Sequence, residues 1–254
     1  MIALLALIPI LSFQEECRFS AQREATVDVA SAAQIVIEAG AGSLRVIGRP
    51  SITQVRVRGT ACASDRDLLE EVQLSATRSG NAVHVKSMDD DLRLRNREYA
   101  RLNVVIEVPE NMAADINDGS GDIELTGIGE VVLDDGSGQI EARNLSGNVQ
   151  IRDGSGEIRL IGVAGDVIIE DGSGEIELTD VRGSVEINDG SGEIVLSQVA
   201  KNVTISDSSG DIDVDDVGGS FFVRNDSSGD VHYSAVKGAV RVPQDRAERK
   251  HRFR

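Results

Sequence analysis

Two columns of this 254-residue sequence hold carboxylates in 13 of 14 places. The tetrapeptide DGSG begins at residues 118, 135, 153, 171 and 189, and DSSG begins at 207 and 226, giving offsets of 17, 18, 18, 18, 18 and 19 residues. The first column is Asp118, Asp135, Asp153, Asp171, Asp189, Asp207 and Asp226. Four residues on, the second is Asp122, Gln139, Glu157, Glu175, Glu193, Asp211 and Asp230. Hard cations favour carboxylate and backbone oxygens, so an acidic, glycine-rich turn is suited to calcium. Secreted calcium-binding rolls also use an 18-residue coil, with the metal held between turns. They carry acidic turns on both sides of the coil, whereas the second turn here reads GIG, LSG, VAG, VRG, VAK, VGG and VKG, with no acid column. The 13 carboxylates are candidate calcium positions, and no other cofactor is indicated. The alternative is that each Asp accepts backbone N–H groups two residues on, in a turn whose glycines permit positive φ. Stacked charge does not force a metal. Carboxylates about 5 Å apart repel by only ~1 kcal/mol in water, and a satisfied turn hydrogen bond contributes a similar ~0.5–1.5 kcal/mol.

Paired carboxylates also hydrolyse glycosides, which makes a polysaccharide-active β-helix enzyme the most distant reading. Such an enzyme needs one rung that differs from the rest and loops long enough to wall a cleft. The rungs here vary in length by one residue. His84, His232 and His251 do not cluster in sequence. The serines at 120, 137, 155, 173, 191, 209 and 228 repeat as turn serines do, and neither Cys17 nor Cys62 has a histidine constellation. No catalytic residue is expected.

The elements that must position these columns are legible in rung 171–188, DGSGEIELTDVRGSVEIN. Ile176 and Leu178 alternate with Glu175, Glu177 and Thr179, the period of a half-buried strand, and Val185 and Ile187 alternate likewise. Val181 stands alone between them. The same columns recur, with Ile123, Ile140, Ile158, Ile176, Ile194, Ile212 and Val231 as the first inward position of each rung. In-register β-branched columns at this period predict an all-β parallel β-solenoid of seven regular rungs, right-handed by the crossover preference. Whether its cross-section is two- or three-sided depends on how the Val181 column turns. Upstream, IVIEAGAGSLRVIG (35–48) superimposes on the template, VQLSATRSGNAVHV (72–85) matches it loosely, and NVVIEVPENMAADIN leads into the first DGSG. A short helix is expected over 65–71. Residues 17–117 therefore read as irregular strands and a cap continuous with the regular repeats at 118–243.

Residues 1–16 contain a ten-residue apolar run, Ile2 to Leu11, too short to span a bilayer and suited to a signal peptide. That places the mature chain outside the cytoplasm, in the periplasm or on the cell surface, with no transmembrane span. Two cysteines in that compartment read as one disulfide, Cys17 to Cys62, closing a loop that contributes roughly 3–4 kcal/mol. The formal charge is −17, and residues 118–240 hold 25 acidic against 7 basic side chains, a net of −18. That excludes a nucleic-acid partner, which needs a basic face. Residues 241–254 reverse the sign with six basic and two acidic side chains. The tail at 244–254 discourages end-to-end stacking of rods or makes peripheral contact with anionic envelope components.

The stacked V-x-I-x-DGSGEIEL-x-x-V-x-G pattern, after a strand-rich segment ending in VVIEVP, resembles the bacterial "putative adhesin" family of extracytoplasmic β-solenoid domains of unknown function. ECRFSAQREATVDV and VRVRGTACASD are similar to the cysteine-bearing N-terminal part of its members. The resemblance covers about residues 17–243, implies an envelope location and carries over no catalytic residue. The expected function is a non-catalytic structural or interaction module whose partner is an envelope protein or polysaccharide. The alternative is a calcium-binding, cation-responsive adhesin.

Overall fold

A computed structural model describes residues 17–29, 32–87, 94–95 and 98–243. The signal-peptide and basic-tail expectations fall outside these residues. In chain order the strands are β1 (Phe19–Asp28), β2 (Gln34–Ala41), β3 (Leu44–Arg49), β4 (Gln54–Ala63), then helix α1 (Arg66–Glu71), β5 (Leu74–Ser79), β6 (Ala82–Ser87), β7 (Ala100–Pro109), β8 (Ala113–Ser120) and β9 (Ile123–Thr126). The regular part continues with β10 (Val131–Asp135), β11 (Ile140–Leu145), β12 (Val149–Asp153), β13 (Ile158–Val163), β14 (Val167–Asp171), β15 (Ile176–Val181), β16 (Val185–Asp189), β17 (Ile194–Val199), β18 (Val203–Asp207), β19 (Ile212–Val217), β20 (Phe221–Asn225), β21 (Val231–Val236) and β22 (Val240–Arg241).

These strands form two 11-stranded sheets that face each other across one apolar core. In the first sheet the order is β1-β4-β7-β3-β9-β11-β13-β15-β17-β19-β21, and in the second β22-β20-β18-β16-β14-β12-β10-β8-β2-β6-β5. Each regular coil gives one strand to each sheet and pairs in parallel with the coil before it, as Ile158↔Ile176 and Val167↔Val185 show. The fold is therefore the expected parallel β-solenoid of seven coils. Ile140, Ile158, Ile176, Ile194 and Ile212 are fully buried, and so is the lone column at Val163, Val181, Val199 and Val217. Val236 and Val242, in the last coil, are only half-buried.

The cross-section is two-sided. Each of the first-sheet strands β11, β13, β15, β17, β19 and β21 contains one residue in the left-handed region: Asn144, Gly162, Asp180, Gln198, Asp216 and Ala235, with φ between 52° and 75°. Such a residue kinks the strand, and the residue after it returns to the core. This is why Val181 is inward although the period-2 alternation breaks before it.

Coil order and chain order differ at the N-terminal end. β2 and β3 pair directly with β8 and β9, so the AGAG coil lies next to the first DGSG coil. The coil on its other side is β6 with β7, which comes later in the chain. After β3 the chain runs to the end of the rod, where β4 pairs antiparallel with both β1 and β7, and then climbs back. The segment at 72–85 forms an antiparallel hairpin, β5 with β6, turning at Gly80 with φ 59°, and only its second strand joins the parallel stack. The expected helix forms, capped by Asp65, whose carboxylate accepts the Leu68 N–H at 2.9 Å. Arg23 on β1 donates to the Leu69 and Val72 carbonyls at the helix end, tying the cap together. Cys17 and Cys62 form a disulfide with Cα atoms 5.4 Å apart.

Candidate functional site

The DGSG corner joins a second-sheet strand to the first-sheet strand that follows it. The strand ends in the pattern V-x-I-x-D, so the aspartate is in phase with the inward valine and isoleucine. It points the same way they do. Asp118, Asp135, Asp153, Asp171, Asp189 and Asp207 are buried at 3–8% exposure, the only buried charged side chains among the described residues. Asp226, beside the register shift between β18 and β20, is half-buried.

The turn reading holds for four of them. Asp153, Asp171, Asp189 and Asp207 each accept, through Oδ1, the N–H of the serine two residues on, at 3.0–3.3 Å. The other oxygen, Oδ2, is buried without a hydrogen-bond partner, and in Asp118 and Asp135 both oxygens are. The Gly119 amide beside Asp118, and those of Gly136 and Ser137 beside Asp135, favour the charged form slightly from outside hydrogen-bonding geometry.

Burial dominates the electrostatics. It raises Asp118 from the usual 3.8 to about 7, with the Asp135 carboxylate adding to the shift. Burial and the charge of Asp153 raise Asp135 to about 6, and burial with Asp171 and Asp207 raises Asp189 to about 6. Asp153, Asp171 and Asp207 are raised as well, by burial first. Removing a carboxylate from water disfavours its charged form. Each coil adds a like charge one strand spacing away, about 4.8 Å.

The second column points outward. Asp122, Gln139, Glu175, Glu193, Asp211 and Asp230 are exposed and Glu157 is half-exposed. Two of these residues clamp neighbouring coils: Asp122 accepts the Gln139 N–H at 3.3 Å, and Asp211 accepts the Asp230 N–H at 2.9 Å. The 13 carboxylates thus form two columns on opposite sides of the corner backbone. Among the described residues no group of three or more His, Cys, Asp or Glu side chains converges as a metal centre requires.

The stack itself rests on the second glycine of each corner. Gly174 has φ 152°, and a Cβ there would collide with the carbonyl oxygen of Gly156 in the preceding coil. The equivalent glycines meet their predecessors in the same way. Corner backbones continue the sheet ladder, with Gly172 N–H donating to the Asp153 carbonyl at 3.1 Å and Gly174 N–H to Ser191 at 2.9 Å.

Elsewhere, Phe221 is fully buried and packs on Tyr233 at 6.0 Å, whereas Phe222 faces outward under the Arg241 guanidinium. His84 and His232 lie on different strands, β6 and β21, and His251 lies outside the described residues. At the opposite corner, Asn148, Asp166 and Asn202 accept amides of the next coil at 2.7–3.0 Å, a set the sequence reading missed. Its signal is a polar residue before each second-sheet valine. A concave step of about 370 Å³ forms where β7 overhangs the coils, lined by Ser43, Arg45, Asn103, Asp122, Glu124 and Gln139 among others. Ser43 N–H donates to Asn103 Oδ1 there at 3.0 Å. Gln139, the one break in the outer acidic column, sits in this step.

Comparison with known proteins supports the architecture. A "putative adhesin" of Bacteroides fragilis superimposes with a TM-score of 0.55 at 15% identity, covering 87% of this chain and 96% of that one. A "putative lipid binding protein" of Parabacteroides distasonis gives 0.49 at 16% identity, covering 87% and 97%. A "putative adhesin" from the same organism gives 0.47 at 15%, covering 87% and 96%. A search of curated proteins finds no match. Residues 26–251 match the Toastrack DUF4097 model, and the chain belongs to that family.

Proposed function

We propose that this chain is a non-catalytic, adhesin-like structural and interaction module of the bacterial cell envelope. It works outside the cytoplasm, in the periplasm or at the cell surface, against another envelope protein or a polysaccharide. The observation that carries this reading is the repetition of the corner. The same Asp, Ser and Gly recur coil after coil in equivalent places, so the corners provide no single coil with its own acid, base and nucleophile. Catalysis needs such a unique set, whereas a rod needs only repetition. A solved structure described as a "putative adhesin" shares this fold. No helix among the described residues is long and apolar enough to cross a membrane.

The rod is also electrically polar. Its acidic coils end in a segment, 231–243, that carries Lys237 and Arg241 and no carboxylate, and the sequence continues into the basic 244–254 tail. This end suits peripheral contact with anionic envelope components. Fluorescently labelled chain should bind isolated envelopes saturably, and residues 17–243 alone should bind more weakly. Binding that never saturates, or none, would overturn the proposal.

A calcium-dependent adhesin is the second reading. The observation that favours it is the outer column, which offers an accessible carboxylate on nearly every coil. Calorimetric titration with calcium decides it: no heat removes this reading.

A further inference from the structure

Six aspartates stacked through the core of an otherwise apolar rod need an explanation that turn geometry does not give. A turn cap uses one carboxyl oxygen. Here Oδ2 of Asp153, Asp171, Asp189 and Asp207, and both oxygens of Asp118 and Asp135, are enclosed without a partner. An ionised carboxylate in that position loses its hydration and recovers at most one turn amide in return.

Among the described residues the surroundings supply no counter-charge. Asp171 is flanked by Asp153 on β12 and Asp189 on β16, in register. The first-sheet strands leaving the corners begin with fully buried Ile158 and Ile176. Asp118 has Ala39 of β2 on one side and Asp135 on the other, and Asp207 has Asp189 and Asp226. The groups that act on the six carboxyls are turn amides and other aspartates, with no lysine, arginine or histidine among them. The outer carboxylates at 122, 157, 175, 193 and 211 lie across the corner backbone and face solvent.

We infer that the inward aspartate column is a proton-binding site, taking up protons from solvent and holding the coils together more firmly when it does. The proton comes from solvent and adds to a free oxygen, converting carboxylate to carboxyl. The Oδ1 bond to the serine amide survives, while both the burial cost and the repulsion between coils disappear. The upward displacement of all six groups agrees in direction. Each binds its proton more tightly folded than unfolded, where the ordinary value is 3.8. The stability this contributes is fully present below the unfolded value. It is lost as pH rises through about 6 at Asp135 and Asp189 and about 7 at Asp118. The inference is independent of the proposed function, since it concerns what the rod does in any role.

The test uses the full chain in chelator, melted between pH 8 and pH 5. Tm should rise by about 5 °C on acidification. Asp118→Asn and Asp189→Asn remove the charge, and at 189 the amide oxygen remains as the acceptor for the turn. Each should raise Tm at pH 8 and flatten the dependence. Asp122→Asn and Glu175→Gln change the net charge equally on the outer side and should leave the slope as it is. Carboxyl carbon NMR on the unmodified chain should show midpoints of about 7 for Asp118 and about 6 for Asp135 and Asp189, with the other three displaced upward, a readout that survives if a variant fails to fold. Midpoints near 4, or Asn variants that keep the wild-type slope, would overturn the inference. So would stabilisation by calcium at pH 8 that the Asn variants abolish, because the column would then hold a cation and not protons.

Discussion

Each coil turns once at the DGSG corner and bends once inside its first-sheet strand, and the two sites obey different rules. At the corner the second glycine is the same residue in all seven copies, from Gly121 to Gly229. At the bend, Asn144, Gly162, Asp180, Gln198, Asp216 and Ala235 all take the same left-handed conformation. The corner glycines sit at φ 128–153°, outside the left-handed well near +57° that L-residues can enter, whereas the bend residues at φ 52–75° sit in or beside it. The neighbour differs as well. A Cβ at Gly174 runs into the Gly156 carbonyl, whereas at the bend Gly162 would meet nothing nearer than 3.4 Å, the Asn144 side chain. Backbone stacked on backbone fixes a residue type; a bend beside open space only biases it.

The largest effect should come from closing the tight site. Gly174→Ala places a methyl group on a neighbouring backbone carbonyl, so the coils must separate. The expected cost is about 4 kcal/mol or more, read from urea unfolding, and a loss below about 1 kcal/mol would break the comparison. The first glycine of the corner motif is more forgiving. A Cβ at Gly190 would lie 2.4 Å from the Gly172 oxygen, yet Ser208 occupies the equivalent place one coil later and makes the same bond to the preceding aspartate carbonyl. Gly190→Ser should therefore cost only about 1–2 kcal/mol.

The opposite corner gives a smaller effect with a distinctive pH signature. Asp166 holds the Ser184 amide at 2.7 Å, and that bond, then Lys201, lowers its affinity for protons. Asp166→Ala should cost about 1 kcal/mol at pH 7. Because the folded value lies below the ordinary one, this contribution is present above 3.8 and disappears as pH falls through the folded value. The inner aspartates behave in the reverse sense. Melting wild type and variant together down to pH 3 should make the two curves converge.

Much of this was legible in the sequence. The 18-residue period and its isoleucine columns are enough for a stack of parallel strands, because hydrophobic phase reports which side chains face inward. The same phase contains the answer for Asp171, which follows Val167 and Ile169 at two-residue steps. The corner glycines drew attention to the turn and hid that alternation. The layer order at the N-terminal end is different in kind. The AGAG coil and the β6–β7 coil carry similar patterns, and nothing in either pattern says which lies next to Asp118. That choice depends on the long antiparallel strands β4 and β1 needing an end of the rod to cap, a non-local requirement. The lone Val181 column was also ambiguous, because a left-handed residue is recognised by its conformation and Gln198 or Ala235 does not announce one.

The bend supplies the smallest and most discriminating prediction. Asp180 has φ 56° and lies exposed. A left-handed conformation costs an L-residue roughly 1–2 kcal/mol, less for Asp because its short side chain bonds locally. Asp180→Gly removes that strain but adds freedom to the unfolded chain, worth about 0.4–1 kcal/mol in the other direction. The two nearly cancel, so the change in stability should stay within about 0.5 kcal/mol. Gly162 already occupies the position one coil earlier without disturbing the β13–β15 pairing, which keeps Val163 opposite Val181. Glycine should thus behave oppositely at two positions of one coil: dispensable at the bend, where φ 56° is open to an L-residue, and obligatory at the corner, where φ 152° and a second backbone both exclude a side chain. A large loss from Asp180→Gly would mean that its side chain, and not its conformation, holds the bend.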